Sequence, residues 1–193
     1  MRRLYDWVLS WAYSPYAVPA LFLLAFAESS FFPIPPDVLL LALAISIPRK
    51  AFTFAAICSV GSVLGGMVGY LIGYEFMEVV GNRILAVYGL MDKWQVVGEL
   101  YNKYAAWAVG IAGFTPIPYK LFTIAGGAFK IDFPVFVLAS VISRSARFFL
   151  VAALIYYFGP PIKSFIDKYF NILAIVFVVL LVGGFVLIKY AVK

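Results

Sequence analysis

Five ionisable residues lie within or beside long apolar stretches, where neutral residues would cost less free energy. They are two acids and three bases: Glu28, Asp37, Lys120, Arg144 and Arg147. Carboxylates release and take up protons, whereas guanidinium groups bind phosphate through paired hydrogen bonds and keep their charge. Acids beside arginines therefore predict proton-coupled movement of an anion, with Glu28 and Asp37 as the proton-coupling groups.

The basic residues have the spacing expected of a site for an anionic headgroup. Arg144 and Arg147 are three residues apart and so share one face of a helix, and Ser143 lies beside them. Lys120 lies near the start of a predicted helix, where free backbone N–H groups and the helix dipole also favour an anion. We predict that a lipid phosphate binds to Lys120, Arg144, Arg147 and Ser143.

The amino-acid composition is that of an integral membrane protein. Of the 193 residues, 65% are hydrophobic and 12% are charged, against about 45–50% and about 25% in soluble domains. The net charge of +6 suits contact with anionic lipid headgroups. We therefore expect membrane lipids as partners. Nucleic acid is not expected, since the basic residues form no nucleic-acid-binding motif.

Two residue counts exclude common kinds of catalytic and metal site. The chain has no histidine and one cysteine, Cys58. Serine–histidine–aspartate triads, histidine metal sites, internal disulfides and multi-cysteine zinc sites are therefore excluded. We predict no metal, no cofactor and no enzymatic activity. A membrane phosphatase or acyltransferase is the enzymatic alternative, and it would lack the usual histidine base.

Apolar segments long enough to cross a membrane occur in three places. The segments 52–74 and 170–188 are uncharged, and the latter belongs to a predicted C-terminal span over 169–190. The third, 133–158, carries Arg144 and Arg147 near its middle. Aromatic and charged residues in 1–15 and 75–104 predict an amphipathic helix and a connector that lie along the membrane interface.

Two further apolar stretches, 16–47 and 105–128, are interrupted by prolines. Proline removes a backbone donor and fixes φ, so no continuous helix passes through these positions. Each half is too short to span a membrane alone, which favours re-entrant helical hairpins. The predicted tips contain Pro33, Pro35 and Pro36 in the first hairpin and Pro116 and Pro118 in the second.

The two hairpins resemble each other in sequence. At an offset of 83 residues, the distance from Pro33 to Pro116, five positions of 31–42 are identical. We therefore predict one membrane domain with a repeat over 16–74 and a second over 105–158. Because one span separates the hairpins, they would enter from opposite faces, as in inverted-repeat transporters. The alternative is a chance recurrence of Pro-Ile-Pro in an apolar background.

A glycine stripe in the first span recurs every fourth residue, at Gly61, Gly65, Gly69 and Gly73. Small residues at this spacing let helices approach closely. Helix packing is the predicted role, and a path for a lipid tail is the alternative.

The N-terminal region also has the pattern of a signal peptide. Two arginines precede an apolar run that ends at Ala25-Phe26-Ala27, as a basic region, a core and a cleavage site would. Cleavage would remove the first arm of the first hairpin and leave the repeat incomplete. We therefore expect that this segment is retained.

The intramembrane charges admit other interpretations. They could neutralise each other as buried ion pairs that hold the hairpins to the span. The same acids could serve a proton-coupled exporter of a small ion or solute, or the chain could be a structural partner in an envelope complex. A homodimer stays open as an assembly state.

Three groups of motifs resemble the DedA family, also called SNARE-associated or VTT-domain membrane proteins, and most closely its YqaA-type branch. They are Glu28 with the tip 33–37, the glycines of 61–73, and the run 114–120 followed by Ala125-Gly126-Gly127. The resemblance implies two opposed re-entrant hairpins in the plasma membrane of a prokaryote. It also implies movement of lipids between leaflets, with polyprenyl phosphate carriers as bacterial and archaeal substrates and phospholipids as eukaryotic ones.

The chain departs from the commonest tip motif of that family at two arginine positions. Gly113 stands at the first and Tyr119 at the second, with Lys120 next to it. Arg144 and Arg147 would supply the missing positive charge from the neighbouring span.

Overall fold

The computed structural model of the chain describes residues 16–32, 35–115 and 117–159. The predicted interfacial helix 1–15, the predicted C-terminal span 169–190, and the tip residues Pro33 and Pro116 lie outside the described residues. Within the described ranges the regular secondary structure is entirely helical. The all-α class is therefore confirmed for this part of the chain.

Eight α-helices make up the described part of the chain. A 3₁₀ turn, Pro48–Lys50, precedes the third helix, and a π-helical turn, Met77–Gly81, follows it. The α-helices are α1 Ala17–Ser30, α2 Asp37–Ser46, α3 Ala51–Phe76, α4 Asn82–Val87, α5 Met91–Lys103, α6 Ala105–Phe114, α7 Tyr119–Ala128 and α8 Phe133–Phe158.

Each proline-interrupted stretch forms two short helices, α1 and α2 in the first and α6 and α7 in the second. Pro36 immediately precedes α2 and Pro118 immediately precedes α7. The helices α2, α6 and α7 have ten residues each, a length of about 15 Å at 1.5 Å per residue. That is about half of the hydrocarbon thickness of a bilayer. That each helix pair is a re-entrant hairpin, and that the two enter a membrane from opposite sides as an inverted repeat, stays a prediction; each pair is called a hairpin below.

Two helical segments of the described residues are long and apolar enough to cross a membrane, 48–87 and 133–158. The second has the predicted bounds, and the Asp132 carboxylate caps its start by accepting the Val135 N–H at 2.9 Å. The first continues beyond the predicted end at residue 74, because no proline follows and the π-helical turn at 77–81 keeps the chain helical to Val87.

Helix α3 lies at the centre and packs against α1, α7 and α8. In each half of the chain the first arm packs on the span that follows it, α1 on α3 and α6 on α8. The first arm contributes to the core, since Leu21 and Ala25 are fully buried. The arm that signal-peptide cleavage would remove is thus an integral part of this fold.

The glycine stripe of α3 is where the neighbouring helices approach most closely. A Cβ atom on Gly65 would lie 2.0 Å from the carbonyl oxygen of Phe26 in α1. One on Gly73 would lie 1.9 Å from the carbonyl oxygen of Ile124 in α7. Helix α1 therefore packs on one end of the stripe and α7 on the other. At both ends a side chain in place of the glycine would displace the backbone of the neighbouring helix.

Replacing Gly65 with alanine is expected to destabilise the protein by about 1–3 kcal/mol, the usual cost of overpacking. The matched control is Gly110→Ala in α6, where an added Cβ meets no atom within 4 Å. That variant is expected to keep or slightly raise stability, because alanine favours the helix by roughly 0.5–1 kcal/mol over glycine. Thermal unfolding in detergent micelles measures both changes, and equal midpoints would contradict the packing role.

The connector helix α5 is fixed to the end of α7 by its polar and aromatic residues. Tyr101 donates to the carbonyl oxygen of Phe122 at 3.0 Å, and Asn102 donates to that of Phe129 at 3.1 Å. Trp94 stacks on the Phe129 ring with centroids 4.2 Å apart. Burial raises the pKa of Tyr101 above its ordinary value, so this hydroxyl keeps its proton and its hydrogen bond.

Candidate functional site

The tips of the two hairpins meet beside the middle of α8. The Lys120 ammonium, in the first turn of α7, donates to the carbonyl oxygen of Phe32 in the first tip at 3.2 Å. The Arg147 guanidinium, from α8, binds groups of both tips at once. Contacts between the two tips, and from α8 to both tips, thus bring together residues that are far apart in the sequence.

Arg147 makes three contacts with the two tips. Its Nε and Nη2 atoms lie 3.1 Å and 3.0 Å from the two carboxylate oxygens of Asp37, the paired geometry that guanidinium and carboxylate groups favour. Its Nη1 donates to the carbonyl oxygen of Thr115 at 2.7 Å. The side chains of Arg147 and Asp37 are 19% and 20% exposed, so this ion pair is accessible from outside the protein.

Asp37 is the first residue of α2. A carboxylate there is stabilised by the positive end of the helix dipole. Lys120 occupies the second position of α7, where the dipole opposes a cation. No carboxylate of the described residues lies within ion-pair distance of Lys120. The second tip therefore carries a positive charge that no described acid neutralises.

Arg144 has a different environment, although it lies three residues before Arg147 on the same helix. Its side chain is 3% exposed, and its Nη2 lies 2.8 Å from the Glu28 carboxylate. Its Nε donates to the Ser62 hydroxyl at 2.5 Å. The Tyr119 and Phe148 rings lie 4.9 Å and 4.7 Å from its central carbon, close enough for cation–π attraction. Arg144 thus joins α1, α3, α7 and α8 from within.

Hydroxyl groups that the sequence analysis missed complete the surroundings of Arg144. The Ser29 hydroxyl donates to Glu28 at 3.1 Å and lies 2.7 Å from the Ser62 hydroxyl. The Thr123 hydroxyl donates to the carbonyl oxygen of Ser29 at 3.1 Å. The sequence shows only that Ser62 lies four residues before Gly66 and so shares a face of α3 with it. The structure alone shows that this face approaches the Tyr119 ring.

Ser143 contributes to packing in this structure. Its hydroxyl donates to the carbonyl oxygen of Ala139 in its own helix at 2.7 Å. It lies against Gly113, where an added Cβ would be 2.2 Å from the serine oxygen. Gly113 therefore lets α6 approach α8 closely. This contact gives a physical reason for a glycine at position 113.

The predicted site residues thus fall into two groups. The buried Arg144 pairs with the largely buried Glu28, and Asp37, Arg147 and Lys120 are partly exposed between the tips. Of the prolines, Pro36 is buried, whereas Pro35 and Pro118 are exposed. Among the described residues, every buried side-chain nitrogen and oxygen has a hydrogen-bond partner. The buried side-chain nitrogens and oxygens of the described residues therefore make their hydrogen bonds within the protein.

Comparison with known proteins gives matches over most of the chain. A family model described as the VTT domain matches residues 34–157. A protein of Haemophilus influenzae, described as uncharacterized, is 36% identical over 186 residues, which is 96% of each chain. A protein of Histophilus somni, also described as uncharacterized, is 34% identical over 164 residues, which is 83% of this chain and 84% of its own. No solved structure matches the chain significantly.

Proposed function

Because the chain belongs to the VTT-domain family of membrane proteins, we propose that it moves an anionic lipid phosphate between the two leaflets. The substrate would be a polyprenyl phosphate or a phospholipid. Its phosphate would bind between the hairpin tips, at Arg147 and Lys120.

The single observation that carries this proposal is the position of Arg147. Its guanidinium contacts Asp37 in the first tip and Thr115 in the second while remaining partly exposed. Lys120, which no described carboxylate neutralises, adds positive charge from the second tip. Helix ends at membrane depth are unfavourable unless they line a cavity or are buried in protein. Lys120 at the start of α7 and Arg147 from the middle of α8 supply the positive charge that a phosphate needs beside these helix ends.

The Asp37–Arg147 pair suggests how protons would be coupled to the lipid. While Asp37 is ionised, its carboxylate occupies two of the guanidinium donors. Protonation of Asp37 would remove that competitor, and the phosphate could then take its place on Arg147. Release of the proton would restore the ion pair and expel the phosphate. Asp37 is therefore the proton-coupling group of the proposal.

The buried Glu28–Arg144 pair has a supporting role in this mechanism. Its groups are hydrogen-bonded to Ser29, to Ser62 and to one another. Removing one partner of such a pair would leave a buried charge uncompensated. We assign Arg144 and Glu28 to positioning the first arm and α8 rather than to contact with the lipid. This departs from the sequence-based expectation that Arg144 binds the phosphate and Glu28 couples protons.

Translocation of a reporter lipid in proteoliposomes tests the proposal. The wild-type protein is expected to accelerate the movement of a phosphate-bearing reporter lipid between leaflets. Lys120→Gln is expected to slow this movement about 10- to 100-fold. A hydrogen bond to a charged group contributes about 1.5–3 kcal/mol, and its loss corresponds to a decrease of that size. Lys130→Gln is the matched control, because Lys130 is exposed and pairs with Glu78 outside the site.

Two results would count against the proposal. Equal translocation rates for wild type and Lys120→Gln would show that Lys120 does not bind the phosphate. Proton-driven flux of a small ion, independent of lipid composition and without lipid movement, would support the exporter alternative instead.

A further inference from the structure

An apolar groove runs along the outer side of the fold between α6 and α8. Its volume is about 680 Å³, within the usual range of about 300–1,000 Å³ for small-molecule sites. Most of its wall is hydrophobic side chain, and several wall residues are strongly exposed, among them Trp107, Ile111, Leu138 and Ile142.

One end of the groove lies at the second hairpin tip. Thr115, Ser143 and Ala146 line the groove at that end. The carbonyl oxygen of Thr115 is the group that accepts a hydrogen bond from Arg147, and Arg147 follows Ala146 directly in α8. The apolar groove therefore adjoins the cationic site at the hairpin tips. This is the arrangement that an anionic amphiphile requires.

Gly110, in the middle of the groove wall, supports the same interpretation. A glycine within a helix is unfavourable relative to alanine, and close packing is the usual compensation. Gly113 in the same helix has that compensation, because Ser143 packs against it. At Gly110 an added Cβ would meet no described atom within 4 Å. The absence of a side chain at Gly110 leaves this part of the groove unfilled.

We propose that this groove holds one apolar chain of the lipid whose phosphate binds at Arg147 and Lys120. The inference rests on the proposed function and specifies how the substrate is oriented. The headgroup lies between the hairpin tips, while the chain extends along α6 and α8 past Gly110 toward Trp107.

Photocrosslinking identifies the occupant of the groove directly. The wild-type protein is reconstituted with phosphatidic acid that carries a diazirine in one acyl chain, and separately with diacylglycerol that carries the same chain. Phosphatidic acid is expected to crosslink to peptides containing Trp107, Ile111 and Leu138 several-fold more strongly than diacylglycerol does. The difference arises because only phosphatidic acid carries the phosphate that Arg147 and Lys120 hold.

Substitutions in the groove provide a second, independent measurement. Gly110→Trp, which fills the groove, is expected to reduce both the crosslinking and the translocation rate several-fold. Val60→Trp is the control, because it adds the same indole to an exposed position on α3 and should change neither. Gly110→Leu gives a smaller obstruction and an intermediate loss, and thermal unfolding verifies that each variant is folded.

Three results would overturn the groove as a chain site. Equal crosslinking of the two lipids would identify ordinary bilayer lipid as its occupant. Absence of groove crosslinks, with a lowered unfolding temperature for Gly110→Leu, would indicate that the apolar segment 170–188 covers it. Normal translocation by a folded Gly110→Trp would exclude the groove from the path. Groove crosslinks without any translocation by the wild type would support the groove while contradicting the proposed function, so the two failures are distinguishable.

Discussion

Arg147→Gln is expected to abolish lipid phosphate translocation while leaving the protein folded. The substitution removes the charge that both hairpin tips share, and a neutral amide cannot hold a phosphate through paired charged hydrogen bonds. The expected loss is at least about 100-fold, since two or more charge-assisted bonds of about 1.5–3 kcal/mol each disappear. The rate is measured in proteoliposomes, as for the wild type.

Asp37→Asn tests whether the Asp37 carboxylate competes with the lipid phosphate for the Arg147 guanidinium. The asparagine side chain cannot be ionised, so Arg147 would be free for the phosphate at every pH. The phosphate would then leave Arg147 only by its own dissociation, so lipid movement is expected to continue more slowly and to lose its response to an imposed pH gradient. If Arg147→Gln transports at the wild-type rate, the phosphate site is wrong. If Asp37→Asn keeps the full response to the gradient, the coupling role of Asp37 is wrong.

Arg144→Gln is expected to have the largest effect on stability. The Arg144 guanidinium is 3% exposed and bonds to Glu28 and Ser62. Its removal leaves the Glu28 carboxylate without its ion-pair partner, and breaking a buried pair in this way costs about 3–5 kcal/mol. Thermal unfolding in detergent micelles should show a much larger decrease for Arg144→Gln than for Arg147→Gln, whose pair is more exposed.

A double variant separates the charge of the buried pair from its packing. Glu28→Gln combined with Arg144→Gln removes both charges together, so it should regain part of the stability that Arg144→Gln loses. A stable, folded Arg144→Gln that lacks translocation would contradict the positioning role. In that case Arg144 would contact the lipid directly, as its place in the sequence alone suggests.

The local features of the fold follow from the sequence because their causes are local. Prolines remove donors and restrict φ wherever they occur, so the breaks between α1 and α2 and between α6 and α7 were predictable. The apolar run 133–158 and its flanking residues predicted α8 with the observed bounds. The end of the first span was less predictable, because a π-helical turn extends the helix to Val87.

The sequence also determined which residues are unusual, since charges in apolar stretches are conspicuous without any structure. It could not distinguish Arg144 from Arg147, which share a helix face three residues apart. The residues that distinguish their environments lie 25 or more positions away. Glu28, Ser62 and Tyr119 contact Arg144, whereas Asp37 and Thr115 bind Arg147. Pairing across such separations depends on how the helices pack, and helical periodicity carries no information about it. Only the tertiary structure therefore decides that Arg144 is buried in the interior and that Arg147 is partly exposed between the hairpin tips.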